Sequence, residues 1–328
     1  MTRLLHAELT RLRSRVLLWL AAAGVVAIAL VGVVGAWTMS TPPSPAEVEQ
    51  AQAHLAVQLD DWEKNGEQQE QDCRDAQAAD PDPEADYGCD DMAPRLEWFL
   101  RPVATFAGEG VGMIESMAVV LLAGALAIGA SFVGAEFATG SIGNWLTFAP
   151  RRGRVFASKL LATLLGVLPL LLVTVGVLVG GTYGAYALHD QLGAVTDDTW
   201  PDLLASSARM VALGLGGGVI GVALGFLLRH TAAVLGALVG WFVAVEVVLR
   251  QVWAGLAPWT LAANVDAWVR GGSEYWLPNV CTTDASGMVS CESATRELSM
   301  SRGGVYLAVV AAVLALVALL VFRRRDVS

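Results

Sequence analysis

Charge is scarce in this chain of 328 residues: charged side chains make up 16% of it, whereas apolar side chains make up 55%. Lys64 and Lys159 are the only lysines among the 21 basic residues, a shortage that points to a GC-rich bacterial source. Uncharged runs of about 20 residues recur, and each spans roughly 30 Å of hydrocarbon as a helix. This excludes an ordinary soluble protein and predicts an all-α polytopic protein of the bacterial plasma membrane.

The sequence also lacks the motifs of common enzyme classes. A phosphate-binding P-loop needs Gly-Lys before Ser or Thr, but the two lysines follow Glu63 and Ser158. The four histidines form no H-x-x-x-H pair, and no G-x-S-x-G sequence occurs. We therefore expect no catalytic residue, no metal site and no bound cofactor in this chain, and no nucleic-acid partner.

Six uncharged runs predict six transmembrane spans. The uncharged runs are 16–37, 116–135, 160–188, 210–228, 231–245 and 303–322; with their flanking residues, the second span covers 111–135 and the fifth 231–250. The segments between them are an N-terminal helix (1–15), an acidic domain (38–110), a loop (136–159), a second loop (189–209), an insertion (251–302) and a tail (323–328).

The distribution of charge predicts the orientation of the spans. Segments 1–15, 136–159, 229–230 and 323–328 carry 12 of the 21 basic residues, whereas segments 38–110, 189–209 and 250–302 carry 26 of the 31 acidic residues. Because positive segments stay in the cytoplasm during insertion, both termini are expected there. Leu5, Leu9 and Leu12 share a helical face, which predicts that residues 1–15 lie as an amphipathic helix in the membrane interface.

The acidic domain after span 1 holds 17 acidic and 4 basic residues. The sequence Ser44-Pro45-Ala46-Glu47 predicts a capping box at the start of a helix that reaches about Gln71. All four cysteines lie in outward segments, where disulfides form readily. Three pairings are possible, and we favour Cys73–Cys89 and Cys281–Cys291 because each closes a short loop. Zinc is less favoured, because neither C-x-x-C spacing nor a neighbouring His occurs.

Two ionisable residues fall within the spans, Glu115 and Glu246, each near an outer end. Glu246 and Arg250 stand four residues apart, a spacing that favours an intrahelical ion pair, and their shallow depth favours anchoring at the interface. Glycines four residues apart recur in spans 3, 4 and 5, which predicts close packing among these three helices.

The loop between spans 2 and 3 carries the most informative pattern. An acid, Glu136, ends span 2, a short apolar helix is expected from about 137 to 148, and Pro150 stops it before a basic cluster. A positive-inside connector would not need the apolar side chains Ile142, Trp145, Leu146 and Phe148. The last three are therefore expected to fill a groove on a partner.

This loop resembles the one that joins spans 2 and 3 in permease subunits of type-2 ATP-binding-cassette (ABC) transporters. The positions that match the family motif are Glu136, Gly140, Ser141, Ile142, Leu146, Pro150, Arg151, Arg152 and Lys159. The amphipathic N-terminal helix, the six spans and the insertion between spans 5 and 6 are similar to the family layout as well. The large acidic domain after span 1 departs from it.

The resemblance implies that residues 136–159 form the coupling helix that rests on a separate ABC ATPase subunit, which binds ATP and Mg²⁺. It also implies a second permease copy, identical or related, an export direction, and re-entrant helices within residues 253–269. Nearly uncharged spans favour a hydrophobic or amphipathic substrate such as a lipid, peptide or drug. The alternative is an ATPase-free scaffold or signalling protein that acts through the acidic domain; a neighbouring ATPase gene would separate the two.

Overall fold

The computed structural model describes residues 2–80, 85–148, 151–283 and 289–325. Within these ranges, six helices are long and apolar enough to cross a membrane, which confirms the all-α polytopic class. These spans 1 to 6 are Val16–Ser40, Phe106–Ala138, Arg152–Leu188, Thr199–Leu228, Thr231–Val252 and Met300–Arg324. They extend beyond the uncharged runs because backbone hydrogen bonds continue past the first polar side chain.

Span 3 begins eight residues before its predicted start at residue 160 and span 4 begins eleven residues before residue 210. The predicted loops around them are correspondingly shorter. Span 2 opens with a π-helical turn, Phe106–Gly110, continues as Val111–Ser116, and is interrupted at Met117 before Ala118–Ala138.

In the part of the chain that the structure describes, four α-helices lie outside the spans: Thr2–Arg13, Pro45–Ala78, Ser141–Phe148 and Leu261–Arg270. We call them the N-terminal, acidic, loop and insertion helices. Short 3₁₀ turns occupy Cys89–Asp91, Leu96–Phe99 and Ala254–Trp259. Helices therefore occupy most of the stretch 253–269, and their re-entry into the membrane stays a prediction.

The acidic helix begins at the predicted capping box. Ser44 accepts a hydrogen bond from the backbone N–H of Glu47, and the Glu47 carboxylate accepts one from the backbone N–H of Ser44. The hydrogen bonds that the Glu47 carboxylate accepts from the backbone N–H and the hydroxyl of Ser44 hold the pKa of Glu47 below its usual value. The helix runs beyond the predicted end near Gln71. The predicted Cys73–Cys89 disulfide then ties its last turns to the segment that follows, with the two Cα atoms 5.7 Å apart.

The insertion between spans 5 and 6 contains a β-hairpin where the sequence predicts a disulfide-held loop. Strand β1 (Gly272–Thr283) pairs antiparallel with strand β2 (Val289–Ser299). The backbone register sets Cys281 directly opposite Cys291. The side chains of these two cysteines lie outside the described residues, so their disulfide stays a prediction.

Spans 2 and 4 form the closest helix pair, and glycine makes their approach possible. A Cβ atom on Gly217 would lie 2.5 Å from the carbonyl oxygen of Leu122, and one on Gly221 would lie 2.1 Å from that of Leu126. By contrast, a Cβ on Gly176 or Gly236 would meet no atom within 4 Å. The sequence predicted close glycine packing among spans 3, 4 and 5; the closest approach is instead between spans 2 and 4.

The bundle has two ends. The N-terminal helix, the loop helix and the end of span 6 lie together at one, which we call the termini end. The insertion helix and the hairpin lie at the other, the hairpin end. Burial differs between spans. In the most apolar 18-residue stretch of each span, 67% of the residues of span 2 are buried, compared with 17%, 6% and 11% for spans 1, 5 and 6. Spans 1, 5 and 6 thus leave broad apolar faces uncovered.

Candidate functional site

The segment between spans 2 and 3 contains a short helix, which follows a turn and lies at the termini end. Span 2 continues to Ala138, so Glu136 lies in its last turn rather than in a loop. Gly140 then adopts a left-handed φ of 67°, which favours glycine because glycine has no Cβ. The loop helix, Ser141–Phe148, follows, and span 3 begins at Arg152. Pro150, the predicted stop, lies outside the described residues.

A buried charge network joins this region to the N-terminal helix. Lys159, in the second turn of span 3, is fully buried, and its Nζ lies 3.0 Å from Oε2 of Glu8 and 2.6 Å from Oε2 of Glu136. The first contact is a hydrogen bond; the second is an ion pair without hydrogen-bond alignment. Arg15 approaches the other carboxylate oxygen of Glu136 at 3.4 Å. One lysine of span 3 therefore links span 2 to the N-terminal helix, which is far away in sequence.

The network is largely buried, and its two carboxylates face two cationic side chains, Lys159 and Arg15. The side chains of Glu8, Glu136 and Lys159 are at most 3% exposed, whereas that of Arg15 is 25% exposed. Arg15 also donates to the carbonyl oxygen of Ser131 at 3.2 Å. Breaking such a buried ion pair by removing one partner is costly, because the remaining charge has lost its solvation without compensation. The network therefore holds the N-terminal helix firmly against spans 2 and 3.

The loop helix turns one face to the chain and leaves one aromatic residue uncovered. Ile142 is 1% exposed and packs in an apolar cluster with Phe156 and Phe322. Trp145 packs against the same cluster, and the guanidinium of Arg11 lies 4.0 Å from the centre of its ring, within the range of a cation–π contact. Phe148 is 84% exposed.

The structure thus divides the three side chains that the sequence assigns together to a partner surface. Trp145 and Leu146 pack against the chain itself, and only Phe148 stands largely free. Both side chains pack against the apolar cluster formed by spans 2, 3, 4 and 6, and Arg11 of the N-terminal helix also lies over the ring of Trp145, contacts that local sequence cannot reveal.

The basic residues at the start of span 3 have different surroundings. Arg152 donates to the carbonyl oxygens of Phe322 and Arg325 at the end of span 6, where a helix C-terminus carries partial negative charge. Arg151 precedes the helix and is exposed. Arg152 therefore joins spans 3 and 6, while Arg151 remains open to a partner.

Three residues of this site were missed from the sequence: Glu8, Arg11 and Arg15. A signal existed for Glu8, since it lies three residues after Leu5 and four before Leu12, on the apolar stripe of the N-terminal helix. An acid on an apolar stripe needs a buried cationic partner. The identity of that partner, Lys159, is a tertiary fact.

The intramembrane acids lie at the other end. Glu246 accepts hydrogen bonds from the backbone N–H groups of Leu261 (2.6 Å) and Ala262 (3.4 Å) and so caps the insertion helix. Span 5 is π-helical over Phe242–Leu249, which alters the spacing, and among the described residues no ion pair joins Glu246 to Arg250. That predicted pair is wrong, and Glu246 has a structural role.

Glu115 is half-buried beside Ser206 and faces Arg270 and Arg209. It lines a cavity of about 350 Å³ with Arg250 and other residues of the insertion. Neither Glu115 nor Glu246 approaches the loop helix, so the predicted site residues fall into separate groups. Glu136, Ile142, Trp145, Arg152 and Lys159 are brought together at the termini end.

A comparison with protein families places the whole chain in a known family. The family model described as "ABC-2 family transporter protein" matches residues 5–327, which is nearly the whole chain. A search with this chain found no matching curated protein. Members of this family are membrane transport components that normally work with an ABC ATPase subunit and are generally not catalytic themselves. The chain therefore belongs to the ABC-2 transporter family and is a membrane transport subunit of an ABC transporter.

Proposed function

We propose that this chain is the permease of an exporter in the bacterial plasma membrane, and that its ATPase subunit docks on the loop helix at Phe148. The ATPase would bind ATP and Mg²⁺, and two ATPase subunits would serve two permease copies, identical or related. The observation that carries the proposal is one strongly exposed aromatic residue on a helix whose opposite face is anchored.

The anchoring matters for energy transfer. A helix that lay only on the membrane surface would shift with the ATPase and transmit no displacement to the spans. The loop helix is held by Ile142 in the apolar cluster and by the contact of Arg11 with Trp145. Arg11 belongs to the same helix as Glu8, which is tied to Lys159. A displacement at Phe148 would therefore pass to spans 2 and 3 rather than be lost in a flexible loop.

Substitution of Phe148 by alanine tests the docking site. Buried aromatic anchors at interface centres commonly contribute about 2 kcal/mol or more, so the affinity for the ATPase subunit is expected to fall roughly 30-fold. The purified chain would be titrated with its ATPase subunit, and transport and ATP hydrolysis would be measured in liposomes. Insertion and thermal stability should not change, because Phe148 has few internal contacts.

Phe242→Ala is the matched control, since Phe242 is also exposed (57%) but lies within span 5. It should leave ATPase affinity unchanged. Arg151→Gln should weaken association less than Phe148→Ala, because exposed charges at an interface rim mainly steer encounter. If Phe148→Ala binds the ATPase as tightly as the unchanged chain, the loop helix is a positive-inside connector and the docking proposal fails.

The orientation follows from the same proposal: the termini end is cytoplasmic and the acidic domain is outside. The charge asymmetry of the connecting segments supports this. Asp61→Cys on the acidic helix and Asn144→Cys on the loop helix are both exposed positions. A membrane-impermeant maleimide should label Asp61→Cys in intact cells and Asn144→Cys only after permeabilisation. Labelling of Asn144→Cys in intact cells would overturn the orientation.

The uncovered faces of spans 1, 5 and 6 offer room for the second permease copy and for lipid. Their apolar character supports a hydrophobic or amphipathic substrate, because the charged residues of these spans lie towards the ends, and a charged substrate would meet no compensating charge along the middle of the faces.

A further inference from the structure

A wide groove opens between spans 5 and 6, away from the loop helix. It has a volume of about 860 Å³, and its floor comes from spans 2 and 4. Leu126, Gly216 and Ile220 lie on the floor, Trp241 on one wall, and Leu307 on the other. Among the described residues no charged side chain lines it. Water would find almost no hydrogen-bond partners there, and apolar cavities of this kind stay free of water.

The groove has the length of one membrane leaflet. Along span 6 its lining runs from Gly304 to Leu314, which is about 15 Å of helix at 1.5 Å per residue. The hydrocarbon core of a bilayer is about 30 Å thick. A groove of this length matches the acyl chains of one leaflet rather than a helix that crosses both.

The hairpin end of the groove is aromatic and basic. Trp268, which lines the groove, donates its indole N–H to the carbonyl oxygen of Arg209. Tyr306, also in the lining, donates its hydroxyl to the carbonyl oxygen of Trp259, and the guanidinium of Arg302 lies 5.3 Å from the Trp259 ring centre. Tryptophan and tyrosine are enriched at the membrane–water interface, at the depth of the lipid headgroups.

The two arginines differ in their surroundings, and Arg209 faces the half-buried carboxyl group of Glu115. Arg209 contacts the Met300 sulfur and the carbonyl oxygen of Ala205, while Arg302 is exposed. Neither takes part in an ion pair within the part of the chain that the structure describes. Each lies within one helical turn of a lining residue, Ala212 for Arg209 and Gly304 for Arg302. Basic groups at the mouth of a groove between membrane helices suit an anionic headgroup.

We propose that this groove binds one anionic phospholipid, with an acyl chain between spans 5 and 6 and its phosphate beside Arg302 and Arg209. The site is distinct from the proposed ATPase contact at Phe148, and its occupancy needs neither the ATPase nor transport. The apolar length supplies binding energy through burial of the chain, and the two arginines supply the preference for negative charge.

Native mass spectrometry of the purified, delipidated full chain tests the proposal, with phosphatidylglycerol as the probe and phosphatidylcholine for comparison. One phosphatidylglycerol should bind per chain, more tightly than phosphatidylcholine. Arg302→Gln should weaken it about fivefold, as expected from the loss of one cation beside an anionic headgroup. Arg324→Gln, which removes a charge at the termini end, should have no such effect.

Gly216→Leu should block the groove and weaken phosphatidylglycerol binding tenfold or more. A Cβ at Gly216 would meet no atom within 4 Å, so the side chain would enter the groove without displacing backbone. Gly176→Leu, at an equally open glycine on span 3, is the matched control. Ala311→Trp fills the same groove from span 6 if the first variant does not fold.

Unchanged phosphatidylglycerol binding in the folded groove-filling variants would overturn the site. Equal binding of the two lipids would overturn the role of the arginines. Disulfide cross-linking of two Gly216→Cys chains in native membranes would show instead that a second copy covers the groove. None of these results depends on Phe148, so failure here leaves the proposed ATPase contact untouched.

Discussion

Replacement of Lys159 by methionine should lower the free energy of unfolding by about 3–5 kcal/mol, the usual cost of removing one partner from a buried ion pair. Lys159 is fully buried between the carboxylates of Glu8 and Glu136. Without its ammonium group, two carboxylates would share a dry site, compensated only by Arg15 and Arg11 at its rim. The thermal midpoint and the monodisperse fraction in detergent would be measured.

The chain supplies a matched control, because Lys64 is its only other lysine. Lys64 forms an exposed ion pair with Asp60 at 2.6 Å, with side chains 64% and 68% exposed. Exposed pairs of this kind contribute about 0–1 kcal/mol, so Lys64→Met should leave the thermal midpoint nearly unchanged.

A second variant separates lost charge balance from lost packing. Glu8→Gln combined with Lys159→Met removes one acid with the base, and should recover part of the stability lost by Lys159→Met alone. The two residues contact each other, so their effects should not add. Equal destabilisation by Lys159→Met and Lys64→Met would show that the network contributes nothing to stability.

Substitution of Gly221 by alanine should destabilise the bundle by about 3 kcal/mol, at the upper end of the usual cost of overpacking. The added Cβ would lie 2.1 Å from the carbonyl oxygen of Leu126 and 2.9 Å from the backbone nitrogen of Ala130. Backbone atoms cannot rotate away as a flexible side chain can. Spans 2 and 4 would have to separate, which would weaken the most buried contact between spans.

Gly216→Ala, on the same helix, should instead stabilise the bundle. No atom lies within 4 Å of its Cβ position, and alanine is favoured over glycine in a helix by about 1 kcal/mol. Both variants would be compared by thermal unfolding in the same detergent. If Gly221→Ala were as stable as Gly216→Ala, spans 2 and 4 would not approach as closely as described.

Local patterns were sufficient for the number of spans, the capping box at Ser44 and the Cys73–Cys89 disulfide. Each depends on residues close together in the chain: an uncharged run long enough to cross a bilayer, a Ser and a Glu three positions apart, or two cysteines that close a short loop. The loop helix was also predictable, because its apolar residues are unusual in a cytoplasmic connector.

Other features belong to the tertiary structure. The hairpin at 272–299 was missed because the two cysteines favoured a disulfide-held loop. Glu246 was expected to pair with Arg250, but it caps a helix that begins 15 residues further on. Of the glycine pairs predicted to pack closely in spans 3, 4 and 5, only those in span 4 do so, whereas a Cβ on Gly176, Gly180, Gly236 or Gly240 would meet no atom within 4 Å. That the span 4 glycines meet span 2 depends on which helix faces are turned towards each other.

The sequence by itself determined that this chain crosses the membrane six times and that its second and third spans are joined by an apolar helix beside a basic cluster. Only the tertiary structure decided that Lys159 meets Glu8, 151 residues away, and that Trp145 is covered while Phe148 is free. The physical reason is the separation in sequence over which each interaction acts. Hydrophobic length and capping act within a few helical turns, whereas burial of a charge or an aromatic ring is set by whichever distant helix arrives to cover it.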